Sequence, residues 1–244
     1  MALEVYLVRH GKTVFNTTGR VQGWSDSPLT TEGREIAERL GRNLHAIHFD
    51  AAFASTLPRA YETAGIIVQH KGQPDLVVQH IADLREYCFG GLEGEFSRVV
   101  YQMIAERRGF PDLAAWKQAY RHAKRHLLAE AIVEFDSMGL AETEAQFVQR
   151  LQNGMAEVVR RSEGLQRVLV VAHGMAITAF LKSIDFDIMG YHSLPNASVS
   201  RLRFVEGQWH IDSVGETTWI AQQGWTRWVV QKIFGGVRFK GTAR

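Results

Sequence analysis

An α/β fold, built on a mostly parallel sheet with helices on both faces, is what this sequence predicts, on three observations. Apolar, β-branched runs alternate with segments of helical periodicity, the pattern of strand–helix–strand units. The strand runs are apolar on both sides instead of alternating with polar residues, as strands covered on both faces are. Three of them end in short polar signatures, Arg9-His10-Gly11, Ser55 and His173-Gly174. In sheets of this kind ligands bind beyond the carboxyl ends of the strands, so the three signatures are expected to converge.

The elements follow in order. LEVYLV (3–8) is a buried strand. SPLTTEGREIAERLGRNLHAI follows as a helix, with Thr30 or Thr31 as N-cap and Ile36, Leu40, Leu44 and Ile47 at helical spacing. FDAAFAS is a second strand ending at Ser55, and a helix starts near Pro58, a residue tolerated in a first turn. DLVVQH is a short third strand. RVLVVAH is a fourth, ending at His173 and running into the helix GMAITAFLKSI. The segment SVSRLRFVEGQWHIDSVG carries two alternating runs around Glu-Gly, an antiparallel hairpin. Between Phe96 and Arg161 the chain is helical and charged, broken at Gly109-Phe110-Pro111. The expected organisation is one domain over 1–214 with a helical insertion at about 96–140, then an aromatic and basic C-terminal extension over 215–244.

Composition narrows the class. A hydrophobic fraction of 45% in 244 residues supports a globular domain with a sizeable core. A net charge of +2, with no aromatic-basic RNA signature, argues against a nucleic-acid module. One cysteine, Cys88, excludes an internal disulfide and is expected to be a packing residue. No signal peptide and no run long enough to span a membrane is evident, so the expected location is cytoplasmic.

The strand-end residues suit a phosphate monoester. Arg9 and Arg59 supply planar, bidentate donors for its dianion, and Arg59 lies in the first turn of a helix, where free N–H groups favour anions. A neutral His10 imidazole can attack phosphorus and split one hard displacement into two easier ones. Gly11 is expected to let the backbone approach the phosphoryl group. His173 would donate to an equatorial oxygen as charge develops. A carboxylic acid must protonate the leaving oxygen and then activate water; Glu86 in DLREYCFGGLEG is the candidate, with Glu93 as fallback. No His or Cys spacing suggests a metal site, so no metal or cofactor is expected.

These stretches together resemble the histidine phosphatase superfamily, also called phosphoglycerate-mutase-like. LVRHGKTVFN is similar to its signature around the phosphorylated histidine, QGWSDSPLTTEG to the following loop and ASTLPRAYETA to its second-arginine motif. LREYCFGGLEG is similar to its acid loop and VVAHGMAI to its second-histidine motif. The resemblance implies a phosphate pocket of Arg9, His10, Arg59 and His173 with Glu86 as proton donor. It adds Asn16, Gln22 and the backbone of Gly23 and Gly174 as further phosphate contacts, and implies no metal.

Two departures bear on the reaction. Cofactor-dependent mutases of the family carry Arg-His-Tyr-Gly after the acid, where this chain has Tyr87-Cys88-Phe89-Gly90. Their paired-arginine, proline-rich segment has only a superficial echo in Arg107-Arg108. Hydrolysis of a small phosphorylated substrate through phosphohistidine is therefore the leading expectation. A mutase-type phosphotransferase and a non-catalytic phospho-ligand binder are the alternatives. Lys117, Arg121, His122, Lys124, Arg125 and His126 form a basic cluster that either receives a second anionic group or is a solvated face. The 215–244 extension, rich in Trp, Phe, Lys and Arg, either packs back on the domain, forms a homodimer arm or meets a membrane surface.

Overall fold

A computed structural model describes residues 2–221, and the sequence expectations for 222–244 lie outside them. Its strands are β1 (Leu3–Arg9), β2 (Ala51–Ser55), β3 (Val78–Ile81), β4 (Arg167–Ala172), β5 (Val199–Val205) and β6 (Gln208–Glu216). They form a sheet of order β3-β2-β4-β1-β5-β6, in which β3, β2, β4 and β1 are mutually parallel and β5 is antiparallel to both neighbours. The helices are α1 (Val14–Thr18), α2 (Thr31–Asn43), α3 (Pro58–His70), α4 (Ser97–Arg107), α5 (Leu113–Arg121), α6 (Leu127–Phe135), α7 (Glu144–Arg161) and α8 (Gly174–Ile184).

Both faces of the sheet are buried because its strands are apolar at successive positions. Tyr6, Val8, Ala52, Ala54, Leu169 and Val171 point to one side and meet Leu40 of α2 and Ala60, Ala64 and Ile67 of α3. Val5, Leu7, Phe53, Val168 and Val170 point to the other and meet Leu151 and Met155 of α7 and Phe180 of α8. The insertion helices α4–α6 join that second core through Ile104, Trp116 and Ile132. The expected break at 109–111 falls between α4 and α5.

Two boundaries differ from expectation, each for a physical reason. Thr30 caps α2 through the Gly33 amide, but the helix stops at Asn43, so Leu44 is its C-cap and Ile47 lies beyond it. The third strand starts at Val78, not Asp75: residues 74–75 form a turn, Val77 after it is 74% exposed, and among the described residues β3 pairs only with β2. The hairpin turn at Glu206-Gly207 has both residues at positive φ (51° and 81°), the primed geometry that matches strand twist. β6 continues through Glu216. The Thr218–Ile220 turn then packs back on α2, where Arg39 and Asn43 donate to the carbonyls of Ile220 and Trp219.

Candidate active site

The parallel register sets Arg9 opposite Ala172, so the ends of β1 and β4 lie side by side, with β2 flanking β4. Arg9, His10, Ser55, His173 and the first turn of α3 thus meet at one edge of the sheet. Arg59 and His173 are fully buried, and His10 and Glu86 are exposed by only 3% and 6%. The His10 and His173 rings lie 5.3 Å apart.

Each group is held from a different direction. The His10 Nδ1 is 2.7 Å from the Gly11 carbonyl, which accepts only if Nδ1 carries the proton, so Nε2 is left as a free lone pair. Burial first, then Arg59 and Arg9, push the His10 pKa well below 6.5, which makes it neutral near pH 7. Arg59 donates to the Ser25 carbonyl (2.9 Å), the Gly23 carbonyl (2.7 Å) and the Asp26 carboxylate (2.7 Å). Arg9 donates to the Leu194 carbonyl. Burial lowers its pKa to about 10, so it stays a cation.

Glu86 is gripped by the N-terminus of α8: its carboxylate accepts from Met175 N (3.0 Å), Ala176 N (2.9 Å) and its neighbour Tyr87 N (3.0 Å). Burial nevertheless raises its pKa above 4.5, against those bonds and the two arginines. One helix start therefore fixes both His173, its N-cap residue, and the acid.

Among the described residues, three buried side-chain nitrogens have no partner: Arg9 Nε, Arg59 Nε and His173 Nδ1. Each unsatisfied donor of this kind costs about 1–3 kcal/mol. All three belong to residues around His10: Arg9 and Arg59 act on its charge and the His173 ring lies 5.3 Å from its own. A cleft of about 290 Å³ opens beside them, lined by Arg9, His10 and Glu86 and by insertion residues such as Tyr101, Trp116 and Tyr120; the buried Arg59 and His173 do not line it.

Asn16 and Gln22 line this cleft. The Asn16 Oδ1 accepts from Thr13 N and Asn196 Nδ2, leaving its amide NH2 for the cleft. Gln22 is bonded to Thr13 and Ser27. Gly23 and Gly174 do not line it. The Gly23 N–H donates to Glu93 and its carbonyl accepts from Arg59, so its backbone is already engaged. A Cβ there would lie 2.0 Å from the Tyr87 carbonyl, and one on Gly174 2.1 Å from Ser193 Oγ. At Gly11 a Cβ would meet the Gly33 carbonyl of α2 at 2.7 Å, so this glycine also lets the loop after β1 pass close to α2.

The fallback acid Glu93 is a clamp outside the cleft lining. It accepts from the amides of Gly23, Trp24, Ser25 and Phe89 and from the Ser25 hydroxyl. The basic cluster divides. Lys117 and Arg121 line the cleft, whereas His122, Lys124 and Arg125 are exposed elsewhere. His126 lines it but is not a cation: its Nδ1 caps α6 by accepting from Ala129 N, and burial lowers its pKa to about 4. Cys88 is buried, and burial raises its thiol pKa.

Sequence reasoning did not find Arg150 of α7. It grips both Glu142 oxygens (2.6 and 2.7 Å) and donates to the carbonyls of Asp83, Arg85 and Glu86, fixing the acid loop. Asn196, which donates to the His10 carbonyl, was missed too. Nothing in their spacing marks either, because the backbone carbonyls they hold lie 64 to 186 residues away.

An α/β sheet whose strand ends gather two arginines, two neutral histidines and a buried carboxyl under a cleft defines an enzyme of the histidine phosphatase type. The chain belongs to the histidine phosphatase superfamily (branch 1), whose family model matches residues 5–217. It is 30% identical over 185 residues to a 2,3-bisphosphoglycerate-dependent phosphoglycerate mutase of Gloeobacter violaceus, covering 76% of each chain. It is 28% identical to a metal-independent phosphoserine phosphatase of Arabidopsis thaliana, over 96% of this chain and 88% of that one. Among solved structures, phosphoglycerate mutase from Bacillus anthracis superposes with a TM-score of 0.84 at 30% identity, covering 90% of this chain and 95% of the other.

Proposed function

We propose that the protein hydrolyses small phosphate monoesters without a metal, through a phosphohistidine on His10. The observation that carries this reading is the trio of buried, partnerless nitrogens on Arg9, Arg59 and His173, set around a His10 whose Nε2 is unprotonated. His10 Nε2 attacks phosphorus, and the bond to the leaving oxygen breaks as Glu86 gives that oxygen its proton. The arginines and His173 hold the three phosphoryl oxygens as charge spreads over them. Glu86, now a carboxylate, takes a proton from water as the water oxygen attacks phosphorus. The N–P bond breaks, releasing inorganic phosphate and restoring neutral His10. Asn16 and Gln22 act as further contacts to the phosphoryl group.

Transfer back to substrate, as in a mutase, is the second reading, favoured by the mutase names of the Gloeobacter and Bacillus relatives. The acid loop supports hydrolysis instead. Tyr87 and Cys88 turn into the core, and Phe89 presents an apolar ring to the cleft, so that loop offers no cation to a second acid group.

The test is phosphate release from a panel of phosphomonoesters with a chelator present, beside His10→Ala. Release by the wild type alone, with phosphoglycerates not isomerised, is the expected result. Rapid isomerisation with little phosphate release establishes the mutase reading, and equal release by both proteins refutes the role of His10.

A further inference from the structure

Ser55 ends β2 and is fully buried, as is His173. Its Oγ lies 2.8 Å from His173 Nε2 and 3.3 Å from the backbone nitrogen of Leu57. An amide N–H can only donate, so Ser55 accepts from Leu57. The single hydroxyl proton then has one acceptor in hydrogen-bond range among the described residues, the lone pair of His173 Nε2.

The reverse arrangement fails on two counts. If Nε2 carried the proton, Ser55 Oγ would accept twice and its own hydrogen would be buried with nowhere to go, a loss of about 1–3 kcal/mol. The partnerless Nδ1 would also be a bare lone pair, which repels an anionic oxygen. With the proton on Nδ1, the chain Leu57 N–H to Ser55 O–H to His173 Nε2 is satisfied throughout. The one group left over is then an N–H donor, in a ring 5.3 Å from that of His10. Burial, followed by Arg59, His10 and Arg9, holds His173 neutral, so it has one proton to place.

We propose that Ser55 is a positioning residue: by donating its hydroxyl to His173 Nε2 it holds that imidazole in the Nδ1–H form, the neutral tautomer that can donate to a phosphoryl oxygen. The proposal rests on the phosphohistidine reading for its purpose, but the tautomer belongs to the free protein and is measurable without substrate.

The experiment is a long-range ¹H–¹⁵N imidazole spectrum of the uniformly labelled, full-length protein at pH 7, with the His173 signals assigned by their loss in His173→Ala. The expected wild-type spectrum has His173 protonated at Nδ1 and bare at Nε2, and Ser55→Ala moves the proton toward Nε2. A wild-type His173 protonated at Nε2 overturns the proposal, as does an unchanged tautomer in Ser55→Ala. Should Ser55→Ala fail to fold, the wild-type spectrum alone decides.

Kinetics supply the second arm. Losing one donor to a developing oxyanion costs roughly 10²–10³ in kcat. Ser55→Ala, which frees the proton without removing the ring, should lose about tenfold or more in kcat within that bound, and Ser55→Cys should recover part of it. Ser55→Ala in a His173→Ala background should cost nothing further; a full additional loss there means Ser55 does not act through His173. If the Nδ1–H form is found in a protein that releases no phosphate, the positioning claim stands and the functional reading fails.

Discussion

His10 and Glu86 are both pushed by burial toward their neutral forms, one as a base and one as an acid, and their pH behaviour follows with opposite signs. His10 attacks only when unprotonated. Its pKa lies well below 6.5, so activity rises with pH on a limb displaced to the acid side of an ordinary histidine. Glu86 donates only when protonated. Its pKa is raised above 4.5, so activity falls as pH climbs through that raised value. A kcat/KM profile should therefore be bell-shaped, with an acid limb below 6.5. Glu86→Gln should abolish the alkaline limb and lower kcat by about 10²–10⁴ for alkyl phosphates, and by much less for aryl phosphates whose leaving group needs no proton. An alkaline limb that survives in Glu86→Gln would move the acid elsewhere. At this scale much of the site was legible in the sequence, because apolar runs that stop at Arg9-His10 and at His173 mark strand ends, where the fold class puts ligands. What stayed hidden were hydrogen-bond directions. Gly23 and Glu93 sit beside the site in sequence, yet each is occupied holding the other's loop.

Among the elements, the join between α7 and the acid loop is the one on which geometry most depends. Arg150 ties three backbone carbonyls of the acid loop, at Asp83, Arg85 and Glu86, to the Glu142 carboxylate, and both side chains are about 15% exposed. Arg150→Ala leaves Glu142 and three carbonyls short of donors, and should cost about 2–4 kcal/mol in urea unfolding. It should also reduce kcat, since Glu86 loses its rear support. Arg150→Lys should not rescue either, because an ammonium cannot reproduce the two-pronged grip. Arg150→Ala with wild-type stability and kcat would show that the loop holds itself. Helix boundaries illustrate the limit of periodicity: Leu44 and Ile47 continue the apolar spacing of α2 after its backbone has turned away, because side chains can cover the core from a turn as well as from a helix.

In the whole molecule, the catalytic strand ends and the Tyr6–Trp219 contact should be energetically separable. Trp219 packs edge-on to Tyr6, 6.4 Å between rings, and its Nε1 donates to Glu216. It is half-buried and lies outside the cleft lining. Trp219→Ala should lower stability by about 1–3 kcal/mol in equilibrium unfolding and leave kcat unchanged. A loss of kcat in a protein that remains folded would mean that this contact reaches the site. The parallel core and the closing hairpin were legible because each strand is a continuous apolar or alternating run. The order of strands was not, since it is decided by which helices cover which face.

That order has a consequence for how the protein comes into being. The central strand β4 lies between β1 and β2, although it follows both by more than a hundred residues. A chain emerging from the ribosome can complete His10, Ser55 and Arg59 early, but they have no common surface until residues 167–172 slot between their strands. While residues 56–166 are made, the nascent polypeptide thus leaves the β4-facing edges of β1 and β2 unpaired, and the strand ends of the site come together in one step, when the gap is filled.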